Sequence, residues 1–300
     1  MKVKEESIRL IIFLLALIVT TSLFTSLRIK DSYYLLSDSG IKKSDLQSKI
    51  VQRNFFDVFQ DNIKSLLTFD FGKTLTGESV NSHIIERLEP TFFLAFFSVS
   101  LGSILAIFIF LFCIYYNNPF MSSLFINISN LILSTPIFLF AIFLFILFFL
   151  ELGVLPPGGY ERWNLSYLIL PGISLGVRTF SRIYLFGFEE GTSELNSPYI
   201  RILKTRGFSD FTIIFKYIFY KILPLILILI VLDLSSLLSG AMIVEEIFFF
   251  PGIGKSTFTA IKNMDENLLR ALLLYSGIIF YSLTRFARII QNRIMNIKEL

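Results

Sequence analysis

Apolar residues along this chain fall in long uninterrupted blocks, not in the alternating or one-in-three rhythm of a half-solvated strand or helix. The blocks run from about Leu10 to Leu27, Thr91 to Tyr116, Leu124 to Leu150, Tyr167 to Phe188, Ile222 to Ile247 and Leu268 to Ile290. Each approaches or exceeds the roughly 20 residues a helix needs to cross about 30 Å of hydrocarbon. The pattern predicts an all-α, polytopic membrane protein with about six transmembrane helices.

Polar residues between the blocks fix the expected topology. Lys2, Lys4 and Arg9 precede the first block, and no small-x-small cleavage site follows it at Thr25–Arg28, so 1–27 is read as an uncleaved anchor span with a cytoplasmic N-terminus. The polar stretch 28–90 is expected as an extracytoplasmic loop, long enough to carry Lys42, Lys43 and Lys49 despite the positive-inside rule. Asn117, Asn118 and Pro119 predict a tight turn after the second span, and Ser134-Thr135-Pro136 a kink in the third. Pro156, Pro157, Gly158 and Gly159 predict an outer loop, with Tyr160 and Trp163 suited to the interfacial belt. Pro224 is expected in the first turn of the fifth span, where a missing N–H costs little. Arg201, Lys204, Arg206, Lys216 and Lys221 place 189–221 inside, and Arg285, Arg288, Arg293 and Lys298 put the C-terminus inside as well.

Composition narrows the chemistry. With 54% apolar residues and 35 Phe, the chain could not surface a soluble monomer. Cys113 and His83 are the single cysteine and histidine, which removes disulfides, cysteine-rich metal sites and two-histidine cages from consideration. The net charge of +4 follows membrane topology, and no nucleic-acid module is present. No cofactor or metal site is expected.

One polar segment has the build of a working part. Ser197 and Pro198 suit a helix start and Gly207 a helix stop, enclosing a helix of about nine residues, roughly 13 Å long. Ile200 and Leu203 share one face, and Arg201 with Lys204 another. Ser209 and Asp210 can cap a second helix running through Ile213 and Tyr217. The plain reading is a basic loop that fixes topology; the sharper one is a short rigid helix whose exposed apolar and cationic residues enter a groove on a cytoplasmic partner.

Tyr199-Ile200-Arg201-Ile202-Leu203-Lys204-Thr205-Arg206-Gly207, followed by Ile222-Leu223-Pro224, resembles the cytoplasmic EAA-type loop of permease subunits of binding-protein-dependent ABC importers. Three further segments resemble the dipeptide, oligopeptide and nickel branch of that family. The first is Asp70-Phe71-Gly72-Lys73-Thr74, continuing through Val80, Ile84, Arg87, Leu88, Pro90 and Thr91. The second is Leu152-Gly153-Val154-Leu155-Pro156, with Leu170-Pro171 and Leu175-Gly176 after it, and the third Val244-Glu245-Glu246-Ile247-Phe248 with Pro251-Gly252-Ile253-Gly254. The chain departs from the family pattern in three places: Leu203 replaces a small Ala, Pro198 replaces an acidic residue, and Pro-Gly-Asp does not follow the first span.

The resemblance implies a permease domain over 91–300 that pairs with a second, homologous permease subunit. Two cytoplasmic ATPase subunits would lie below, and an extracytoplasmic solute-binding protein would deliver the solute, all at the lipid of a bacterial inner membrane. ATPase coupling would fall to Tyr199, Ile200, Arg201, Leu203, Lys204, Arg206, Gly207 and Phe208. Di- or oligopeptides are the expected solutes, with nickel or another metal chelate as the alternative. Gly252-Ile253-Gly254-Lys255-Ser256 lacks the first glycine of a phosphate loop, so ATP belongs to another chain.

Individual residues carry expectations of their own. Asp233 sits mid-span, where a carboxylate is costly unless it faces a pathway or a subunit interface. Glu245 and Pro251 are candidate outer-gate residues, with ordinary interfacial solvation as the plain reading of Glu245 and Glu246. Arg178 and Arg182 share a helix face and either snorkel or pair with an acid such as Glu189. His83 reads as an ordinary loop residue and Cys113 as a small buried hydrophobe. A polytopic membrane enzyme would need a nucleophile and base or a metal motif inside the membrane, and none is evident; a non-transporting receptor is the other class consistent with the pattern.

Overall fold

The computed structural model describes residues 9–23, 55–162 and 164–298. Its regular secondary structure among these residues is helical, apart from one antiparallel bridge between Lys73 and Ser79. The helices are α1 (Arg9–Leu23), α2 (Phe55–Thr68), α3 (Val80–Tyr116), α4 (Pro119–Ser134), α5 (Ile137–Glu151), α6 (Ser166–Leu195), α7 (Pro198–Thr205), α8 (Asp210–Leu238), α9 (Met242–Ile247), α10 (Ile253–Lys262) and α11 (Glu266–Lys298). Within the described residues, α3, α8 and Glu266–Ile289 of α11 are long and apolar enough to cross a membrane, and α4 with α5 would make one more bent span. At 30 residues α6 is long enough to cross, but it is more polar, and 28–54 of the expected loop at 28–90 lie outside the described residues.

Several expected boundaries move. The helix expected from Thr91 begins at Val80 and passes through Pro90. At 37 residues it is about 55 Å long, well beyond the apolar stretch alone, so its first turns extend past the hydrocarbon. The stretch expected as a loop therefore also holds α2 and the start of α3. The kink expected at Pro136 is a break: α4 and α5 meet at 102°. Pro136 cannot donate to the ladder, and the hydroxyls of Ser134 and Thr135 both donate to the Leu131 carbonyl, at 3.0 and 2.7 Å, competing for the last turn. Pro224 lies inside α8, not in its first turn, because the helix starts at Asp210 and reaches the apolar stretch through a wide π-helical turn at Ile213–Ile218. The same helix ends at Leu238, and 242–247 is a separate short helix.

The chain forms two compact units. In the first, Met1–Leu88 with Ser256–Ile279, the Asn62 amide donates to Ser22 Oγ at 2.7 Å and joins α2 to α1. The turn at Asp70–Ser79 is tied to the start of α11 by Leu75 N–H donating to Asp265 Oδ2 (2.8 Å) and by Asn267 donating to the Lys73 carbonyl (3.0 Å). His83, expected in a loop, sits on α3, with Nδ1 3.0 Å from Glu78 Oε2 and Nε2 3.3 Å from Ser256 Oγ.

The second unit, Glu89–Lys255 with Phe280–Leu300, is organised along a seam between α3 and α6. A methyl group on Gly102 would come 2.3 Å from the Gly176 carbonyl oxygen, and one on Gly176 would come 2.9 Å from that of Ser98, so the two backbones are in direct contact. Gly172, Gly187 and Gly191 extend the seam, receiving Phe97, Phe110 and Ile114 from α3. Small residues at such a crossing gain dispersion contacts, the main attraction between helices when lipid offers no hydrophobic gradient. Two apolar clusters flank the seam. One gathers Leu94, Leu144, Leu170, Leu175, Phe248 and Phe250. The other gathers Phe110, Cys113, Tyr184, Ile200, Ile213, Ile218 and Ile222, so Cys113 is buried as expected.

Because a carbonyl cannot move aside as a ring can, Gly102→Ala is expected to cost more than Gly187→Ala, whose methyl would meet the Phe110 ring. Overpacking of this kind costs about 1–3 kcal/mol. Thermal unfolding of the detergent-solubilised variants checks the order; equal midpoints would contradict a backbone-limited seam.

Candidate coupling and pathway site

Each end of α7 follows from its sequence. Ser197 is extended (ψ 148°) and Pro198 takes the first helical position, although the Ser197 side chain makes no cap bond. At the other end Gly207 adopts φ +81°, its N–H donates to the Lys204 carbonyl (3.0 Å) and the Phe208 N–H donates to that of Leu203 (3.2 Å). These two bonds are the Schellman stop, which requires a left-handed residue at Gly207. Ser209 Oγ then accepts from Thr212 N–H (3.3 Å) and starts α8, while Lys204 pairs with Asp210 at 3.2 Å across the turn.

The expected docking face is inverted in part. Ile200 is fully buried in the cluster of Phe110, Tyr184 and Ile218, and Tyr199 and Leu203 pack against it. Lys221 stands 4.8 Å above the Tyr199 ring and 2.6 Å from Glu194 Oε2, tying the end of α6 and the start of α7 to α8. Burial, with Glu194 alongside, pushes the Tyr199 phenol up to about 12. Tyr199, Ile200 and Leu203 therefore hold the helix instead of presenting it. The exposed face carries Arg201, Lys204, Arg206, Gly207 and Phe208, and it adds Ile202 and Phe211, 53% and 57% exposed, which the sequence reading did not single out. Large apolar side chains open to water beside a basic helix were the available signal.

Asp233 is buried on α8 and forms an ion pair with Arg182 of α6, so of the two expectations for Arg182, snorkelling or pairing with an acid such as Glu189, it pairs, with Asp233 as the acid. The pair lines a cleft of about 450 Å³ that reaches the turn between α8 and α9 and includes Arg178, Thr179 and Ser236. A pair on a cleft wall keeps its desolvation cost below that of a fully enclosed pair.

Glu245 does not follow the plain reading of interfacial solvation: it is fully buried. Its carboxylate accepts from Lys255 N–H (2.9 Å) and Ala241 N–H (3.3 Å), while Thr91 Oγ1 accepts from Ile253 N–H (2.8 Å). Thr91 and Glu245 together cap the first turn of α10, where the helix dipole favours negative charge. Pro251 leads into this turn, and a methyl on Gly252 would come 2.3 Å from Glu245 Oε2 and 2.7 Å from Thr91 Oγ1. Gly252 thus makes room for the carboxylate, and Gly254 for the backbone of Ala241 and Met242. The Gly-Lys-Ser of this segment donates its backbone inward to Glu245, so it does not form an open phosphate cradle. Glu245 and Pro251 are brought together, whereas Asp233 belongs to the separate cleft.

Just before Pro90 on α3, Glu89 pairs with Arg162 and accepts from the Tyr160 hydroxyl at 3.4 Å, so Tyr160 is tied to the helix. Trp163, the other expected belt residue, lies outside the described residues.

Residues 98–296 match the family model described as "Binding-protein-dependent transport system inner membrane component". A putative peptide transport system permease protein of Brucella abortus is 26% identical over 226 residues, covering 73% of this chain and 72% of that one. The dipeptide transport system permease protein DppB of Alkalihalophilus pseudofirmus is 27% identical over 259 residues, covering 77% and 78%. The glutathione transport system permease protein GsiC of Salmonella typhimurium is 24% identical over 220 residues, covering 73% and 71%. Among solved structures, an inward-facing form of the MetNI methionine ABC transporter superposes with a TM-score of 0.57 at 15% identity, covering 70% of this chain and 95% of that one. That likeness is one of fold.

Burial raises the Glu245 carboxyl from 4.5 to about 7, against the pull of its backbone donors. The folded protein then holds this proton to higher pH than the unfolded chain, so the group's contribution is full below pH 4.5 and declines as pH rises towards 7. Below pH 7 the folded protein holds Glu245 as the acid, and Glu245→Gln turns an amide NH2 towards one of the two backbone donors, so the variant is expected to lose about 1–3 kcal/mol. Its deficit against wild type should narrow between pH 5 and 7 in thermal melts. Parallel pH profiles would show that Glu245 does not titrate there.

Proposed function

The chain belongs to the family of binding-protein-dependent transport system inner membrane components, as a permease subunit of an ABC importer, and on that premise we propose that it imports short peptides by coupling through α7. In this reading the chain crosses the membrane six times with both termini in the cytoplasm. It pairs with a second permease subunit, two ATPase subunits dock beneath, and a solute-binding protein delivers the peptide from outside. The peptide assignment is supported by the relatives named for peptide, dipeptide and glutathione transport.

The two-sided character of α7 carries the reading. Its outer face offers Arg201 and Ile202 to a groove, with Phe208 and Phe211 exposed beside it after the Gly207 turn, and its inner face is keyed into the cluster by Ile200. Protein interiors are close-packed and transmit displacement instead of absorbing it. A push on α7 therefore moves Ile200 against Tyr184 of α6 and against Ile213 and Ile218 of α8. Lys221, bonded to Glu194 and stacked on Tyr199, keeps the three helices in step. The displacement drives a rigid-body change of access, with Arg182 and Asp233 carried on the moving helices.

Two results are expected when the chain is produced with its transport partners. Ile202→Asp should lower ATP-driven peptide uptake about tenfold or more, with normal membrane levels, because a charge in an apolar groove costs several kcal/mol; uptake at the wild-type rate would remove α7 as the docking element. Gly207→Ala places a Cβ in a left-handed conformation at a cost of about 1–2 kcal/mol. Uptake should fall with it, while ATP hydrolysis by the assembled complex persists. A proportional loss of both would indicate misfolding instead of uncoupling.

A further inference from the structure

The cleft beside Asp233 is unevenly charged. Arg182 is taken up by the Asp233 carboxylate, and Arg178, one turn away on the same face of α6, makes no ion pair or hydrogen bond among the described residues. The cleft thus carries two cations against one anion. The second carboxylate oxygen, Asp233 Oδ2, is buried without a hydrogen-bond partner. A buried acceptor with no donor is costly, whereas Arg178 is exposed on the cleft and acts on Asp233 only through space, so its guanidinium stays open to a ligand. What would satisfy them together is a group bearing a carboxylate and an ammonium.

Shape agrees with charge. The charged cleft, about 450 Å³, is within the range of small-molecule sites, and the Ser236 hydroxyl lies on its wall. Arg178 also borders a second cleft of about 400 Å³, lined by Leu131, Ile137, Phe140 and Phe143. A carboxylate held at Arg178 would have apolar space beside it and the Asp233 acceptor on its other side.

We propose that this chain itself holds a recognition site for a zwitterionic short peptide, with Arg178 binding the C-terminal carboxylate, Asp233 Oδ2 accepting from the ammonium, and the Leu131–Phe143 cleft taking an apolar C-terminal side chain. The proposal rests on the import reading and adds a filter after delivery by a binding protein. Arg182 acts as a positioning residue that holds Asp233 towards the cleft.

The test uses the full chain in lipid nanodiscs and radiolabelled Ala-Phe as probe. Saturable binding to the wild type is expected, weakened about tenfold in Arg178→Gln and partly restored in Arg178→Lys, since one charge-assisted bond is lost and then regained without its fork geometry. The C-terminal amide of Ala-Phe should bind both wild type and Arg178→Gln equally weakly. Absence of saturable binding, equal affinity of the amide and the acid for wild type, or displacement of the probe by added phosphatidylglycerol each overturns the proposal, the last by assigning Arg178 to lipid. Loss of co-purification with the second permease subunit in Arg178→Gln also overturns it, because the arginine then serves the subunit interface. Uptake of Ala-Phe by cells carrying the complete transporter separates the two readings: wild-type uptake with no binding to the nanodisc chain fails the filter alone, whereas no uptake at all fails import.

Discussion

The close approach of α3 and α6 is the constraint on which the second unit depends. Without glycine at 102 and 176 the backbones could not touch, and every side chain that α6 carries would be displaced from its partner. One helix then serves two ends. Near Gly172 it meets the cluster that holds α9 through Phe248, and near Gly187 it meets the cluster that receives Ile200. Between the clusters it carries Arg178 and Arg182 to the cleft wall, so apolar packing sets where the charges stand.

The buried charges are used differently at the two places. Glu245 is satisfied almost wholly by backbone donors and fixes a joint, the turn from α9 into α10. Asp233 is satisfied on one side only, by a side chain on another helix. A carboxylate locked by peptide N–H groups is a structural part, whereas one shared between helices and open to a cleft can change partners when those helices move. The pair of Arg182 and Asp233 joins α6 to α8, the two helices that the proposed push on α7 would move.

Much of this was legible in the sequence. Blocks of apolar residues gave the helical membrane class, Ser197-Pro198 and Gly207 gave the bounds of α7, and the motifs from Asp70 to Gly254 gave the family. Helix ends read from polarity alone were less accurate, because polar residues continue α3 before Thr91 and α8 before Ile222 where tertiary contacts support them. Pro90 and Pro224 misled for the same reason: a helix held on both sides outlasts one missing donor. The inward turn of Leu203 and the Arg182–Asp233 pair were not readable, since periodicity gives a face but not its neighbour. Glycine spacing on α6 was visible in the chain, yet only the backbone contact shows which helix it admits.

Because α7 has one anchored and one open face, the direction of its contacts is the most direct test of the coupling role. Single cysteines at Ile202, Phe211 and Leu203 can be crosslinked to the ATPase subunits in the assembled transporter, with Cys113 buried out of reach. Crosslinks from positions 202 and 211 and none from 203 are the expected pattern. A crosslink from 203 with silence at 202 and 211 would contradict an α7 keyed inward by Ile200 and presented outward by Ile202.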